Sequence, residues 1–167
     1  MAFSPDGAHL ATGGDDGKVK VWTTRNCLCY VTFPDCQAKI TALQFIPQKG
    51  NAVLAASLDG TVRAFDLIKY RCFRTFTTPK PTQFSCLAIE ASGDIVAAGA
   101  LDPYDIFIWS LKTGQLLDTL SSHQGPISSI AFSPPTTDGS SILASASWDQ
   151  TVKLWDTFGK QGVLENL

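Results

Sequence analysis

The chain has 167 residues, of which 44% are hydrophobic and 17% are charged, a composition typical of a folded globular protein and not of a disordered one. No apolar run approaches the roughly 20 residues that a membrane-spanning helix needs, and residues 1–6 lack the features of a secretory signal. The net charge is −2, but residues 1–80 carry ten Lys and Arg against six Asp and Glu, whereas residues 81–167 carry three against nine.

Short apolar runs separated by turn residues predict β-strands along the whole chain. In chain order, the predicted strands are residues 1–3, 9–13, 18–23, 27–33, 40–46, 52–57, 61–66, 71–76, 84–90, 94–99, 106–111, 115–120, 127–133, 142–147, 152–156 and 162–167. Asp16-Gly17, Asp59-Gly60 and Thr113-Gly114 stand where tight hairpins need a positive φ. Helical periodicity is absent from the sequence, so we predict an all-β protein.

Aromatic residues recur at a nearly constant spacing, which indicates internal repeats. Trp22, Phe65, Trp109 and Trp155 follow one another at intervals of 43, 44 and 46 residues. Phe3, Phe45, Ile89 and Phe132 form a second column near the start of each repeat. The chain therefore divides into four units of four strands, at approximately residues 1–34, 35–78, 79–121 and 122–167.

The fourth unit resembles a WD repeat, the building unit of the WD40 β-propeller family. It contains the run I-L-A-S-A-S-W-D-Q-T-V-K-L-W-D at residues 142–156, preceded by a histidine. The resemblance implies a hydrogen-bonded network of His123, Ser145, Asp149 and Trp155, and the first unit retains Thr12, Asp16 and Trp22 of such a network. WD propellers usually close with about seven blades. We therefore expect that the chain is a fragment whose four blades of four antiparallel strands form an open arc of a larger ring, with a closed four-bladed ring as the alternative.

Residues 12–22, 56–76, 79–99 and 144–158 are similar to one nucleolar member of this family. That resemblance implies a non-enzymatic scaffold in the nucleolus, acting in small-subunit ribosome biogenesis and pre-rRNA processing as part of the small-subunit processome. The implied partners are other WD-repeat and scaffold proteins of a ribonucleoprotein assembly that includes a snoRNP, with weak or indirect RNA contact. A WD-repeat adaptor of another complex, such as a ubiquitin-ligase substrate receptor, remains the alternative.

Catalytic and cofactor chemistry finds little support in the sequence. His123, Ser145 and Asp149 have the residue types of a hydrolase triad, but the G-x-S-x-G turn that would expose a serine nucleophile is missing. A propeller hydrolase is therefore the weaker alternative. Cys27 and Cys29 lack a second pair of zinc ligands, and no glycine-rich phosphate loop is present. We expect no metal, no cofactor, no small-molecule substrate and no membrane contact, and we interpret the five cysteines as reduced intracellular thiols.

A basic and aromatic segment that runs from the second unit into the start of the third is the strongest candidate for a partner surface. Its members are Arg63, Lys69, Arg71, Phe73, Arg74 and Lys80. Such a segment can bind RNA phosphates or an acidic protein segment, or it can protect an edge strand from aggregation. The overall charge is not basic, which favours a protein over RNA as the partner.

Overall fold

The computed structural model describes residues 1–47, 50–134 and 141–157, together with the backbone of strand Val163–Asn166. The described residues form strands and turns only, which confirms the all-β prediction. The strands are β1 (Ala2–Phe3), β2 (His9–Gly13), β3 (Val19–Thr23), β4 (Cys29–Phe33), β5 (Ile40–Phe45), β6 (Ala52–Ser57), β7 (Val62–Asp66), β8 (Arg71–Phe76), β9 (Gln83–Ile89), β10 (Ile95–Asp102), β11 (Ile106–Ser110), β12 (Leu116–Leu120), β13 (Ile127–Phe132), β14 (Ile142–Ser147), β15 (Val152–Asp156) and β16 (Val163–Asn166). No helix in this part of the chain is long and apolar enough to cross a membrane.

These strands make four antiparallel sheets, each of four strands in chain order from β1–β4 to β13–β16. The observed strand ends lie within one or two residues of most predicted ends. The largest difference is β10, which was predicted to end at residue 99 and continues to Asp102. It does so because two irregularities after Gly99 let Ala100 and Asp102 keep pairing with β9. The predicted end points Gly162 and Leu167 lie outside the described residues.

Strand register aligns the aromatic columns across the four blades. Trp22, Phe65, Trp109 and Trp155 pair with Leu10, Val53, Val96 and Leu143 in the neighbouring strands. The same second-strand residues pair on their other side with Phe3, Phe45, Ile89 and Phe132. Because directly paired residues of neighbouring strands point to the same side of a sheet, each blade places these residues on one face.

The hydrophobic core lies between the blades. One cluster joins the first and second blades around Phe33, Phe45 and Phe65. A second joins the second and third blades around Phe76, Phe84 and Trp109, and a third joins the third and fourth around Ile127 and Trp155. Alternate residues of β6 face different clusters, so both faces of an inner blade are buried. This double burial explains the absence of polar residues in β6 before Ser57.

The four blades form an open arc. Among the described residues, the inner strands β1, β5, β9 and β13 contact one another in that order, which joins each blade to the next. Trp22, in the first blade, is partly exposed, whereas Phe65, Trp109 and Trp155 are buried. Trp22 instead lines an open apolar groove with Phe3 and Leu10.

Candidate functional site

The structure brings the four predicted network residues of the fourth blade together. His123 Nδ1 lies 2.8 Å from Asp149 Oδ2, and His123 Nε2 lies 2.8 Å from Ser145 Oγ. Trp155 Nε1 donates to the same Ser145 Oγ at 2.8 Å. The network thus joins the β14–β15 turn, the β14 strand, the β15 strand and the segment before β13.

Hydrogen bonds also fix the charge of the Asp149 carboxylate. Partial burial would by itself raise its pKa, but hydrogen bonds from Thr151 Oγ1, the Gln124 backbone N–H and His123 hold the pKa well below its usual range. The carboxylate is therefore ionised and orients the histidine ring at neutral pH.

Ser145 has no geometry for nucleophilic attack. Ser145 is only 1% exposed, and its Oγ is hydrogen-bonded to both Trp155 Nε1 and His123 Nε2. A serine nucleophile needs an exposed oxygen beside donors that can stabilise an oxyanion. The arrangement can therefore stabilise the blade but offers no open reaction centre.

The first blade contains only part of the predicted network. Trp22 Nε1 donates to Thr12 Oγ1 at 2.8 Å, which repeats the Trp155–Ser145 bond. Asp16 lies apart from this pair, and its carboxylate accepts from the Lys18 backbone N–H and lies 3.6 Å from Lys18 Nζ. The structure therefore brings Thr12 and Trp22 together and places Asp16 in a local turn contact.

The second blade contains an ion pair that sequence reasoning missed. Arg63 Nη1 donates to Asp59 Oδ2 at 2.7 Å, and the two side chains are 15% and 9% exposed. Asp59 occupies the turn position of Asp149, and Cys36 stands where His123 stands in the fourth blade. The Arg63 guanidinium thus takes the place of the missing histidine as the partner of the turn carboxylate. The four-residue spacing from Asp59 to Arg63, repeated as Asp149 to Lys153, was the available signal.

This ion pair corrects the expected basic surface. Arg63 is not part of an exposed basic surface, because its guanidinium is paired with Asp59 and largely buried in the blade. Arg74 is half-buried and donates from Nη2 to the Lys112 carbonyl at 2.8 Å, where it links the second blade to the third. Lys69, Arg71, Phe73 and Lys80 are exposed. Lys69 and Lys80 flank opposite ends of the six-residue strand β8, which at about 3.3 Å per residue spans about 20 Å.

The cysteines and acidic residues that the structure describes show no cluster typical of a metal site. Within the described ranges, no group of three or more His, Cys, Asp or Glu side chains is placed to hold a metal ion. Cys27 and Cys29 are exposed, whereas Cys36 and Cys86 are buried. Burial raises the pKa of both buried thiols despite hydrogen bonds that act in the opposite direction.

Comparisons with known proteins agree with this architecture. The family described as "WD domain, G-beta repeat" matches residues 1–23, 27–66 and 114–156. The gap between the last two matches contains most of the third blade, where Phe107 and the Asp102–Asp105 turn depart from the other repeats. The matched segments cover more than half of the chain.

Longer relatives match nearly the whole chain. "Periodic tryptophan protein 2 homolog" of Mus musculus is 54% identical over 167 residues, which are 100% of this chain and 18% of that protein. "Periodic tryptophan protein 2" of Saccharomyces cerevisiae is 49% identical over 165 residues, 99% of this chain and 17% of that protein. "WD repeat-containing protein 90" of Xenopus tropicalis is 29% identical over 168 residues, 93% of this chain and 9% of that protein. The chain thus spans less than a fifth of the length of these relatives.

Proposed function

Because this chain belongs to the WD40-repeat family, we propose that it is a segment of a non-catalytic scaffold that assembles proteins during small-subunit ribosome biogenesis and pre-rRNA processing. The observation that carries the proposal is the identity of about one half to proteins named periodic tryptophan protein 2, which extends over 99–100% of the chain in mouse and yeast. The matched span includes the connecting loops as well as the strands.

The geometry of the polar residues supports a scaffold over an enzyme. In the fourth blade, His123, Ser145 and Asp149 are engaged with one another and with Trp155. In the second blade, the Asp59 carboxylate and the Arg63 guanidinium are paired. Both networks hold turns in place, and rigid turns on a rigid sheet are suited to presenting a binding surface.

The finer parts of the proposal rest on the sequence resemblance. We infer from it that the full-length protein acts in the nucleolus, in a small-subunit processome subcomplex that cooperates with a snoRNP. Its partners there are other WD-repeat and scaffold proteins, and RNA contact is weak or indirect. The exposed residues Lys69, Arg71 and Phe73 are one candidate contact, since they combine charge with an apolar ring.

Depletion of the full-length protein in cells tests this proposal. We expect mature small-subunit ribosomal RNA to fall while large-subunit RNA is maintained at first, with a fluorescent fusion concentrated in the nucleolus. An unchanged ratio of the two RNAs would overturn the proposed pathway.

Complementation with Ser145→Thr separates a scaffold from a hydrolase. Thr12 already accepts the tryptophan hydrogen bond in the first blade, so threonine preserves the structural contact. We expect this variant to restore the RNA ratio, whereas a serine nucleophile would be strongly impaired by the same change. Failure of a well-folded Ser145→Thr protein would favour catalysis.

A further inference from the structure

A cationic side chain recurs at one register position in three of the four blades. The second-strand residues Thr12, Ala55, Ala98 and Ser145 pair with Lys20, Arg63, Phe107 and Lys153, respectively. The third blade alone has an aromatic residue, Phe107, at this position. The third blade therefore differs from the other three in the chemistry of this position, although its arrangement of strands is the same.

In the second and fourth blades, the cationic side chain has a bonding partner close to the turn that follows the second strand. Arg63 pairs with Asp59, and Lys153 Nζ donates to the carbonyl and hydroxyl oxygens of Ser122 at 2.7 and 2.6 Å. In the fourth blade, the partner of Asp149 is His123. The turn carboxylate of each of these blades thus has a hydrogen-bonding partner within the chain.

The third blade lacks both internal partners. Asp102 occupies the turn position of Asp59, and Asp105 follows it before β11. Among the described residues, neither carboxylate has a hydrogen bond or an ion pair. Lys80, which stands at the position of His123, is exposed and forms no ion pair in this part of the chain.

An open cleft lies beside these carboxylates. Its volume is about 510 Å³, and its lining includes Lys80, Asp102, Asp105, Phe107, Leu116 and Thr119. The lining is more apolar than polar, so it combines an aliphatic and aromatic wall with a charged rim. A second depression of about 410 Å³ shares Pro81, Thr82 and Asp102 and continues to Asp59 and Gly60 of the second blade.

We propose that this cleft binds an arginine side chain of an extended peptide segment from a protein partner. The guanidinium pairs with Asp102 and Asp105, and the methylene groups pack on Phe107 and Leu116. The incoming arginine supplies in the third blade the charge that Arg63 supplies in the second. The depression that continues toward Gly60 accommodates the neighbouring residues of the peptide.

Arginine fits the cleft better than lysine or a small cation. Its planar guanidinium can donate to two carboxylates at once, whereas the lysine ammonium is a compact and strongly hydrated charge. The apolar wall stabilises an aliphatic stem beneath a charged head. The two carboxylates of the cleft belong to the half of the chain with nine acidic and three basic residues, which favours a cationic partner over a polyanion. This inference stands independently of the proposed role in ribosome biogenesis.

A peptide array probed with the full-length protein tests the inference. Each peptide has arginine, lysine, citrulline or alanine at its centre within many flanking sequences. Citrulline preserves the shape of arginine without its charge. We expect the best arginine peptides to lose at least about tenfold in affinity when citrulline replaces arginine.

Variants of the protein assign this preference to the cleft. Asp102→Asn with Asp105→Asn should abolish the arginine preference, whereas Asp94→Asn, a matched charge change at the opposite end of β10, should preserve it. Lys80→Gln removes a like charge from the rim and should raise the affinity. The inference is overturned if no arginine peptide exceeds its citrulline counterpart, a comparison that needs only the wild-type protein. It is also overturned if the preference survives in the folded double variant.

Discussion

At the scale of single residues, the same structural task is performed by different chemistry in different blades. In the fourth blade a histidine ring joins Asp149 to Ser145, and in the second blade the Arg63 guanidinium reaches Asp59 directly. Both carboxylates also accept from the backbone N–H of the residue that follows the histidine position, Gln124 in one case and Gln37 in the other. The turn carboxylate is the common element, and its cationic or aromatic partner varies.

Replacing Asp149 should therefore weaken the fold more than replacing an exposed aspartate. Asp149→Ala leaves His123 and the Gln124 N–H without their acceptor, and loss of such a partly buried acceptor costs about 2–3 kcal/mol. Asp35→Ala changes an exposed residue between β4 and β5 and should have little effect. Urea midpoints of the full-length variants measure the difference. Equal midpoints would show that the network does not stabilise the blade.

The contribution of the Asp149 carboxylate to the free energy of unfolding should disappear in acid. Its folded-state pKa is lowered, chiefly by hydrogen bonds that outweigh the opposing effect of burial. The unfolded chain, with an aspartate pKa of about 3.9, therefore takes up the proton first as the pH falls. The stability gap between wild type and Asp149→Ala should be complete above about pH 5 and shrink below about pH 4. A gap that grows in acid would contradict this assignment.

The Asp59–Arg63 pair should show strong coupling. Removing one member leaves a largely buried charge unpaired, whereas removing both members leaves none. We expect Arg63→Met and Asp59→Asn to destabilise the protein singly, with a double variant less affected than their sum by about 1–3 kcal/mol. Denaturant unfolding of the three variants completes the cycle. Additive effects would mean that the two side chains act independently.

At the scale of elements, small residues in the second strand allow the blades to approach. A Cβ atom added at Gly13 would collide with the Ile40 side chain of the next blade, and one added at Gly99 would collide with Ile127 and Cys86. Ala56 occupies the same register position in the second blade and packs in one cluster with Phe84. The inner strands of the second, third and fourth blades thus rest on a nearly bare stretch of the preceding blade's backbone.

Two adjacent glycines make this contact testable. Gly13→Ala should destabilise the protein by about 1–3 kcal/mol, because Ile40 is a branched, buried side chain with little room to move. Gly14→Ala is the matched control, since its Cβ would meet only the flexible carboxylate of Asp16 and should change stability by less than about 1 kcal/mol. Thermal unfolding compares the pair. A larger loss in Gly14→Ala would contradict the interblade contact.

The repeat pattern predicted the elements better than it predicted their polar partners. Residues such as Trp109 and Phe65 fall in column because strand spacing and turn chemistry are local properties, visible in the sequence. The partner of Arg63 was missed because it depends on the absence of a histidine at position 36 and on strand register. Arg74 was assigned to a free surface because its acceptor, the Lys112 carbonyl, belongs to another blade. Long-range pairings of this kind leave no periodic trace.

At the scale of the whole molecule, charge is distributed along the arc rather than gathered in one strip. The cations that remain exposed around β8 are Lys69 and Arg71 at one end and Lys80 beyond the other. Lys80 shares its cleft with Asp102 and Asp105, which reduces the positive potential there. Charges of both signs therefore lie near one another at the cleft beside β8, which suits contacts with folded proteins more than tracking of a nucleic acid.

We expect the full-length protein to bind single-stranded RNA only weakly through Lys69, Arg71 and Lys80. If Lys69, Arg71 and Lys80 each neutralised one phosphate, the logarithm of the affinity would fall with salt at about 0.7 per contact, and replacing all three by glutamine would reduce the slope by about two. The dispersed charges instead predict a slope that the triple variant hardly changes. Titration of a single-stranded oligouridine at several salt concentrations, with Lys18→Gln and Lys20→Gln as controls in the first blade, measures this slope. Tight, salt-sensitive binding that the triple variant abolishes would establish RNA, not protein, as the ligand of these residues.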